Sequence, residues 1–361
     1  MPIKYYSYKI EFAMRGASHV HGVLWVDWKR LDILSKDEIE KLNSTFTKIK
    51  DDVPLTKCDK TILATFADNF ITCSLKDPKT EKIVRSVNIH HHTKTCRKYN
   101  TSCRFYFPRF PSLRTVIAEP VRLYSASHEV QKEKLKQSKE ILKKVRDVLE
   151  NEAIMEEICK VQEDAIEEYM KELDMIQKLQ FYLDENKSAS KKTKIKIKDN
   201  NVQKILLGET ESNEIEVERH IIDECLKSLS YNLETRNFDN ILKSRLLALL
   251  KKAEVKGQSD EEIIKNYEEA LGLSEFGYKI IHKRDVNEIM VNNYNSEWIR
   301  NWNANMDLQL CPDFYAVVTY ISDYYSKDDS GTMRFIMEAL KDARNESLAN
   351  QLSIVVHKFF T

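Results

Sequence analysis

Three groups of residues in this chain have the types and spacing for chemistry. His19, Val20 and His21 stand inside the apolar run HVHGVLWV. On a strand, residues two apart share a face, so both imidazoles project together, as a divalent metal with open coordination positions requires. Glu11, on the preceding apolar run, is the candidate oxygen ligand from across a hairpin. Alone, the histidine pair fits equally well as two ordinary residues of a half-buried strand. His90, His92, Cys96 and Cys103 form H-x-H-x3-C-x6-C, four nitrogen and sulfur ligands within 14 residues, enough for a closed structural zinc site. His91 could replace either neighbour. Tyr320 and Tyr324 are four apart, on one face of a helix if that segment is helical. A tyrosine hydroxyl can attack a phosphodiester and remain as a covalent phosphotyrosine where a cation stabilises the developing charge. Val317, Tyr320, Ile321 and Tyr324 also make an i, i+3, i+4, i+7 stripe, which reads as core packing.

Two further features lie close to these groups. Arg97, Lys98, Arg104, Arg109 and Arg114 interleave with Tyr99, Phe105, Tyr106, Phe107 and Phe110. Cations track phosphates and aromatic faces stack unpaired bases, so the mixture suits single-stranded nucleic acid. The same aromatics would also serve as the core of a metal-stapled loop. Asp307 and Gln309 alternate in the run NMDLQL just before the tyrosines, either as further metal ligands or as polar residues of a strand edge.

The elements that must position these residues are legible from pattern. YKIEFAM and HVHGVLWV read as strands joined through Arg15-Gly16-Ala17-Ser18. Helical spacing from Lys29 to about Lys50 follows Ser35 as N-cap. A polar, loop-rich stretch runs over 77–120. Residues 129–184 lack Gly and Pro and read as long amphipathic helix or a helical hairpin. Ser188–Asn201 reads as an exposed basic linker, and helical patterning resumes over 213–271. From Phe276 onward the expectation is a short strand, then helices around 289–303, 313–326 and 334–345. The fold class is α+β: a small antiparallel sheet carrying the His-x-His strand, packed helices, and a long charged helical insertion. The domain reading is 1–125, 126–275 and 276–361, with the last segment completing the first.

The chain has 361 residues and 57 Lys+Arg against 57 Asp+Glu. That zero conceals a net of +9 over residues 1–125 and −7 over 126–275, so it excludes nothing about nucleic acid. No apolar stretch approaches the roughly 18 residues of a spanning helix, and the first residues lack a signal-peptide core, so neither a membrane nor a secretory route is expected. Seven cysteines without tight pairing fit a reducing compartment. No GxxxxGK[ST] run is present.

In combination these motifs are more specific than any one of them. Glu11-Phe12, Arg15-Gly16 and His19-Val20-His21-Gly22 together resemble the histidine motif of the Helitron transposon Rep domain, a member of the HUH endonucleases. His90, His92, Thr95-Cys96, Cys103-Arg104-Phe105 and Phe107-Pro108 are similar to a Cys/His segment of Helitron-encoded proteins. His282-Lys283-Arg284, Asn293-Tyr294-Asn295, the run Trp302 to Gln309, and Tyr320-x3-Tyr324-x2-Lys327 resemble the tyrosine region. The likeness covers 8–125 and 240–327, in the family's order. It implies Mg²⁺- or Mn²⁺-dependent nicking of single-stranded DNA. His19 and His21 would hold the ion, with Glu11 or Gln309 as third ligand. Tyr320 or Tyr324 would attack, and Lys327 would offset charge. Arg97, Lys98, Arg104 and Arg109 would meet DNA. It implies a nuclear location, an upstream segment and a following helicase; neither segment stands in this sequence, and the expectation is a shortened or truncated copy. Two other readings remain open from sequence, an inert DNA-binding remnant and a helical interaction protein.

Overall fold

Alternation, capping and apolar stripes account for most of the elements. The computed structural model describes residues 3–12, 18–27, 34–93, 96–97, 103–124, 126–208, 213–235 and 238–312. The residues joining the first two strands, Lys98, Tyr99, and everything from 313 on, with Tyr320, Tyr324 and Lys327 and the two expected final helices, lie outside them. The chain divides into two units: Met1–Leu63 with Phe276–Lys279 and Cys311–Thr361, and Ala64–Glu275 with Ile280–Leu310.

In the first unit, β1 (Ile3–Phe12) and β2 (Ser18–Val26) pair antiparallel as the alternating apolar runs require. α1 (Lys36–Lys50) starts at Ser35, whose hydroxyl accepts from Glu38 N while Glu38 Oε2 accepts from Ser35 N at 2.8 Å. This reciprocal box satisfies two donors that a helix start leaves open. α2 (Lys57–Asp68) begins the same way, on Thr56 and Asp59. Asp59 is buried, accepts from Thr56 N and Lys48 Nζ at 2.8 and 2.7 Å, and so closes α2 against α1.

In the second unit the charged helical segment is used in two ways. α4 (His128–Leu149), α5 (Glu152–Lys160), α9 (Phe238–Lys252) and α10 (Asp260–Leu271) turn their apolar stripes inward. Val145, Leu149, Ile158, Leu249, Leu250 and Tyr267 bury there with Val286 and Ile289. Between them α6 (Glu163–Glu185), β4 (Lys194–Ile197), α7 (Asn200–Leu207), β5 (Ile215–Glu218) and α8 (Arg219–Thr235) enclose a separate core around Leu179, Ile197, Val202 and Ile222. Residues 129–184, expected as one long helix or a helical hairpin, are therefore three helices, broken twice. Asn151 caps α5 by accepting from Ile154 N, and Gln162 takes φ 59° before α6.

Ser188–Asn201 is corrected outright. It contains β4, antiparallel to β5, with Ile195 and Ile197 buried and Lys194 and Lys196 exposed. The lysines that gave the run its linker composition occupy the solvent face of a period-two strand. For the same reason residues 215–218, expected to be helical, are strand.

A three-stranded sheet, ordered β6-β3-β7, is built by β3 (Val116–Pro120), β6 (Leu273–Ser274) and β7 (Lys279–Ile281), with β3 and β6 parallel. The short strand expected after Phe276 is β7. The helix expected over 289–303 is only α11 (Ser296–Trp302), started by Asn295, whose side chain accepts from Glu297 N and Trp298 N. Ahead of it the chain stays extended because other segments take its backbone. Ile89 bridges Val291, and Thr72 bridges Tyr294. α3 (Glu81–Val87) leads into the first of these bridges. The run NMDLQL is extended but not a strand; Met306 N donates to Asn88 Oδ1 and Leu308 N to Asn293 O. Among the described residues no helix is long and apolar enough to cross a membrane.

Candidate functional site

The Cys/His loop is assembled from local turns held against a distant segment. Ile89 and His90 leave α3 extended, and His90 N donates to Met290 O at 2.7 Å. A turn follows in which Cys96 N and Arg97 N both donate to Thr93 O. Arg104 N then donates to Cys96 O at 2.9 Å, which returns Cys103 beside Cys96. Phe107 is buried and lies parallel to the His90 ring at 4.4 Å, fixing its plane. Arg109 N donates to Ile289 O and closes the loop.

This brings together the four residues expected to bind zinc. The ligand atoms of His90, His92, Cys96 and Cys103 all lie within 4.8 Å of one another. His90 Nε2 is 3.4 Å from Cys103 Sγ, and His92 Nδ1 is 3.5 Å from Cys96 Sγ. A tetrahedral ion with Zn–S of about 2.3 Å and Zn–N of about 2.05 Å sets N···S separations of about 3.6 Å, which these two pairs match, while the separations that reach 4.8 Å would close by about 1 Å around such an ion. His91 is exposed and stands outside the group.

The protonation states suit metal binding. Burial, reinforced by the neighbouring cations, lowers the His90 imidazole to about 4, and burial with Arg97 lowers His92. Both rings are then neutral at physiological pH and offer lone pairs. At Cys96 burial works against ionisation, but hydrogen bonds from Thr93 and Cys103 and the charge of Arg97 outweigh it and hold the thiol below its ordinary value. The arrangement can hold a four-coordinate ion and leaves no open position for a substrate, which is structural rather than catalytic metal chemistry.

The cations around the loop separate into two kinds. Arg97 and Arg104 are exposed, and Arg104 lies over the Phe105 ring at 4.5 Å. Arg109 is half-buried, lies over Phe107 at 4.7 Å and pairs with Asp307 at 3.2 Å. Lys98 lies outside the described residues. Gln309 Nε2 stands 3.4 Å from Asp307 Oδ2, so the alternation read from NMDLQL does put 307 and 309 on one side. Asn88 is the residue that sequence reasoning missed. Buried two residues before His90, it donates to Asn292 O and accepts from Met306 N. A single Asn before a His-rich loop carries no signal that could have singled it out.

The second candidate group sits on the hairpin. The β1–β2 register sets Glu11 opposite His19 and Lys9 opposite His21. Directly opposite and alternate positions of an antiparallel pair share a face, so positions 11, 19 and 21 occupy one side of the sheet. Gln309, the rival ligand to Glu11, belongs to the other unit. Tyr320, Tyr324 and Lys327 lie outside the described residues. No family model, no curated protein and no solved structure matches this chain.

Proposed function

We propose that the protein is a metal-dependent, single-stranded-DNA nicking and strand-transfer enzyme with a separate structural zinc centre. What supports the reading is the hairpin register, which puts positions 11, 19 and 21 on one face, where a three-ligand set for Mg²⁺ or Mn²⁺ would need them. Glu11, His19 and His21 would hold such an ion, which would supply Lewis-acid polarisation of the scissile phosphate. Tyr320 or Tyr324 then attacks phosphorus, its proton leaves to solvent or base, and the departing strand takes a free hydroxyl. The phosphotyrosine so formed keeps the bond energy for rejoining. Lys327, one helical turn from Tyr324, offsets charge if that segment is helical, as its spacing predicts. Arg97, Arg104 and the Cys/His loop hold the strand.

Purified protein should nick single-stranded DNA only with Mg²⁺ or Mn²⁺ and remain attached to one product. Unchanged nicking by the Tyr320→Phe/Tyr324→Phe double variant would overturn the nucleophile assignment.

A second reading, an inert protein that binds single-stranded DNA, is favoured by the completeness of the Cys/His group beside exposed Arg97 and Arg104. Salt-sensitive binding with no covalent adduct under any divalent ion would select it.

A further inference from the structure

On the side of the β1–β2 hairpin that carries positions 11, 19 and 21, Ser7, His21 and Val23 are half-buried, while Tyr5 and Trp25, opposite each other toward the far end, are exposed by 61 and 42%. On the opposite side Tyr6, Tyr8, Ile10, Val20 and Leu24 are exposed by 67, 54, 50, 47 and 38%. They form one continuous patch, with Tyr6 opposite Leu24, Ile10 opposite Val20, and the Tyr6 and Tyr8 rings stacked at 6.0 Å. Gly22 faces Tyr8, and a Cβ there would stand 2.9 Å from Ser7 O and 3.1 Å from Tyr8 Cβ, so glycine keeps the patch flat. Among the described residues this sheet has only two strands. A two-stranded sheet is marginal in water until its apolar face is covered, and apolar patches of this kind mark interaction surfaces.

Charge identifies the occupant. Positions 6, 8, 10, 20, 22 and 24 hold Tyr, Tyr, Ile, Val, Gly and Leu, with no basic or carboxylate side chain among them. A nucleic-acid strand needs cations against its phosphates, and this face supplies none. A neutral apolar face is its own complement, because a two-fold contact places like against like with no charge to match. We propose that two copies of the chain pair through this face, hairpin against hairpin, as stacked sheets do at a spacing of about 10 Å. Five half-exposed side chains remove about 800–1,000 Å² in total, below the roughly 1,200–2,000 Å² of stable interfaces and in the range of weak, transient ones, so the dimer is concentration-dependent. By register, positions 11, 19 and 21 belong to the other face of the hairpin. The inference does not depend on the nicking reading, since it concerns the other face and its readout is self-association rather than cleavage.

Sedimentation velocity of the full chain, over concentrations spanning the micromolar range, should show a reversible monomer–dimer equilibrium. Val20→Lys should raise the dissociation constant at least tenfold, with far-UV circular dichroism and metal content at the Cys/His centre unchanged. Tyr8→Phe should leave it within a factor of two. Hydrogen exchange on the unmodified protein is the second measurement, in case Val20→Lys fails to fold: protection of 3–12 and 18–26 should rise with protein concentration. A single monomeric species at every concentration overturns the proposal, as does a dimer indifferent to Val20→Lys. So does hairpin protection that is independent of concentration and lost on deleting 313–361, which would make the chain's own end the cover. Protection gained only on adding single-stranded DNA overturns it too.

Discussion

Cys103→Ala removes one of two sulfurs from a group whose four donor atoms lie within 4.8 Å. If the group holds a tetrahedral ion, its binding free energy is also folding free energy, because the unfolded chain has no preformed site. At free metal about 1,000 times the dissociation constant, linkage contributes about 4 kcal/mol of stability. The unit containing the centre, Ala64–Glu275 with Ile280–Leu310, has about 240 residues, a size at which 1 kcal/mol shifts Tm by about 2–4 °C. Stripping the unmodified protein with a chelator should therefore lower Tm by about 8–16 °C in differential scanning calorimetry, and restoring Zn²⁺ should recover it. Cys103→Ala should purify with less than about a tenth of the metal and show no further drop on chelation. Cys159→Ala, at a half-buried cysteine outside the group, should keep its metal. Substituted Co²⁺ should give the visible bands of a tetrahedral two-thiolate site in the unmodified protein alone. Unmodified protein that binds no metal, or a chelator response shared by both proteins, would refute the assignment.

Four other outcomes are expected. The Asp59 carboxyl is held at about 2, burial being outweighed by the hydrogen bonds from Lys48 and Thr56, against about 3.9 unfolded. Its depressed value contributes about 2 kcal/mol that is present above pH about 4 and fades as pH falls toward 2. The stability gap between the unmodified protein and Asp59→Asn in urea titrations should narrow accordingly. Tyr267→Phe strips the buried Pro111 carbonyl of its donor at 2.8 Å and should cost about 1–3 kcal/mol in the same titrations. Arg97→Gln with Arg104→Gln should reduce the log–log salt slope of single-stranded DNA binding by about 1.4, two phosphates' worth, by fluorescence anisotropy. Asn295→Ala deprives Glu297 N and Trp298 N of their cap and Phe70 O of a donor, and should lower stability by about 2 kcal/mol by thermal melting.

What could be read from sequence follows the range of the interactions involved. The strands of the hairpin, Ser35 as a cap, and the four-residue Cys/His group depend on neighbours a few positions away, and their spacing carries that information. β4 was hidden because KIKI has the composition of a linker and the periodicity of a strand, and only the partner Ile215–Glu218 decides between them. The shortness of α11 was hidden for a related reason. Ile289–Asn295 has helical composition, but its backbone is claimed by Thr72, Asn88 and Ile89, about two hundred positions earlier. Asn88 itself acts wholly through such long-range bonds. At the hairpin the shared face of 19 and 21 is legible from alternation, and the register adds that position 11 stands opposite position 19.

The fastening at Asn88 has a consequence for synthesis. Its side chain bonds residues 204 and 218 positions later, and the loop's back wall, Ile289 and Met290, is equally distant. At about 5–20 residues per second the ribosome delivers that wall about 10–40 s after the loop. The four donors, by contrast, lie within 14 residues of chain and can meet a metal ion as soon as Cys103 has emerged. If the group binds an ion, metal capture would precede completion of the fold. Such an ion would hold the loop closed, and protect two thiols from oxidation, while the helical segment is still being made.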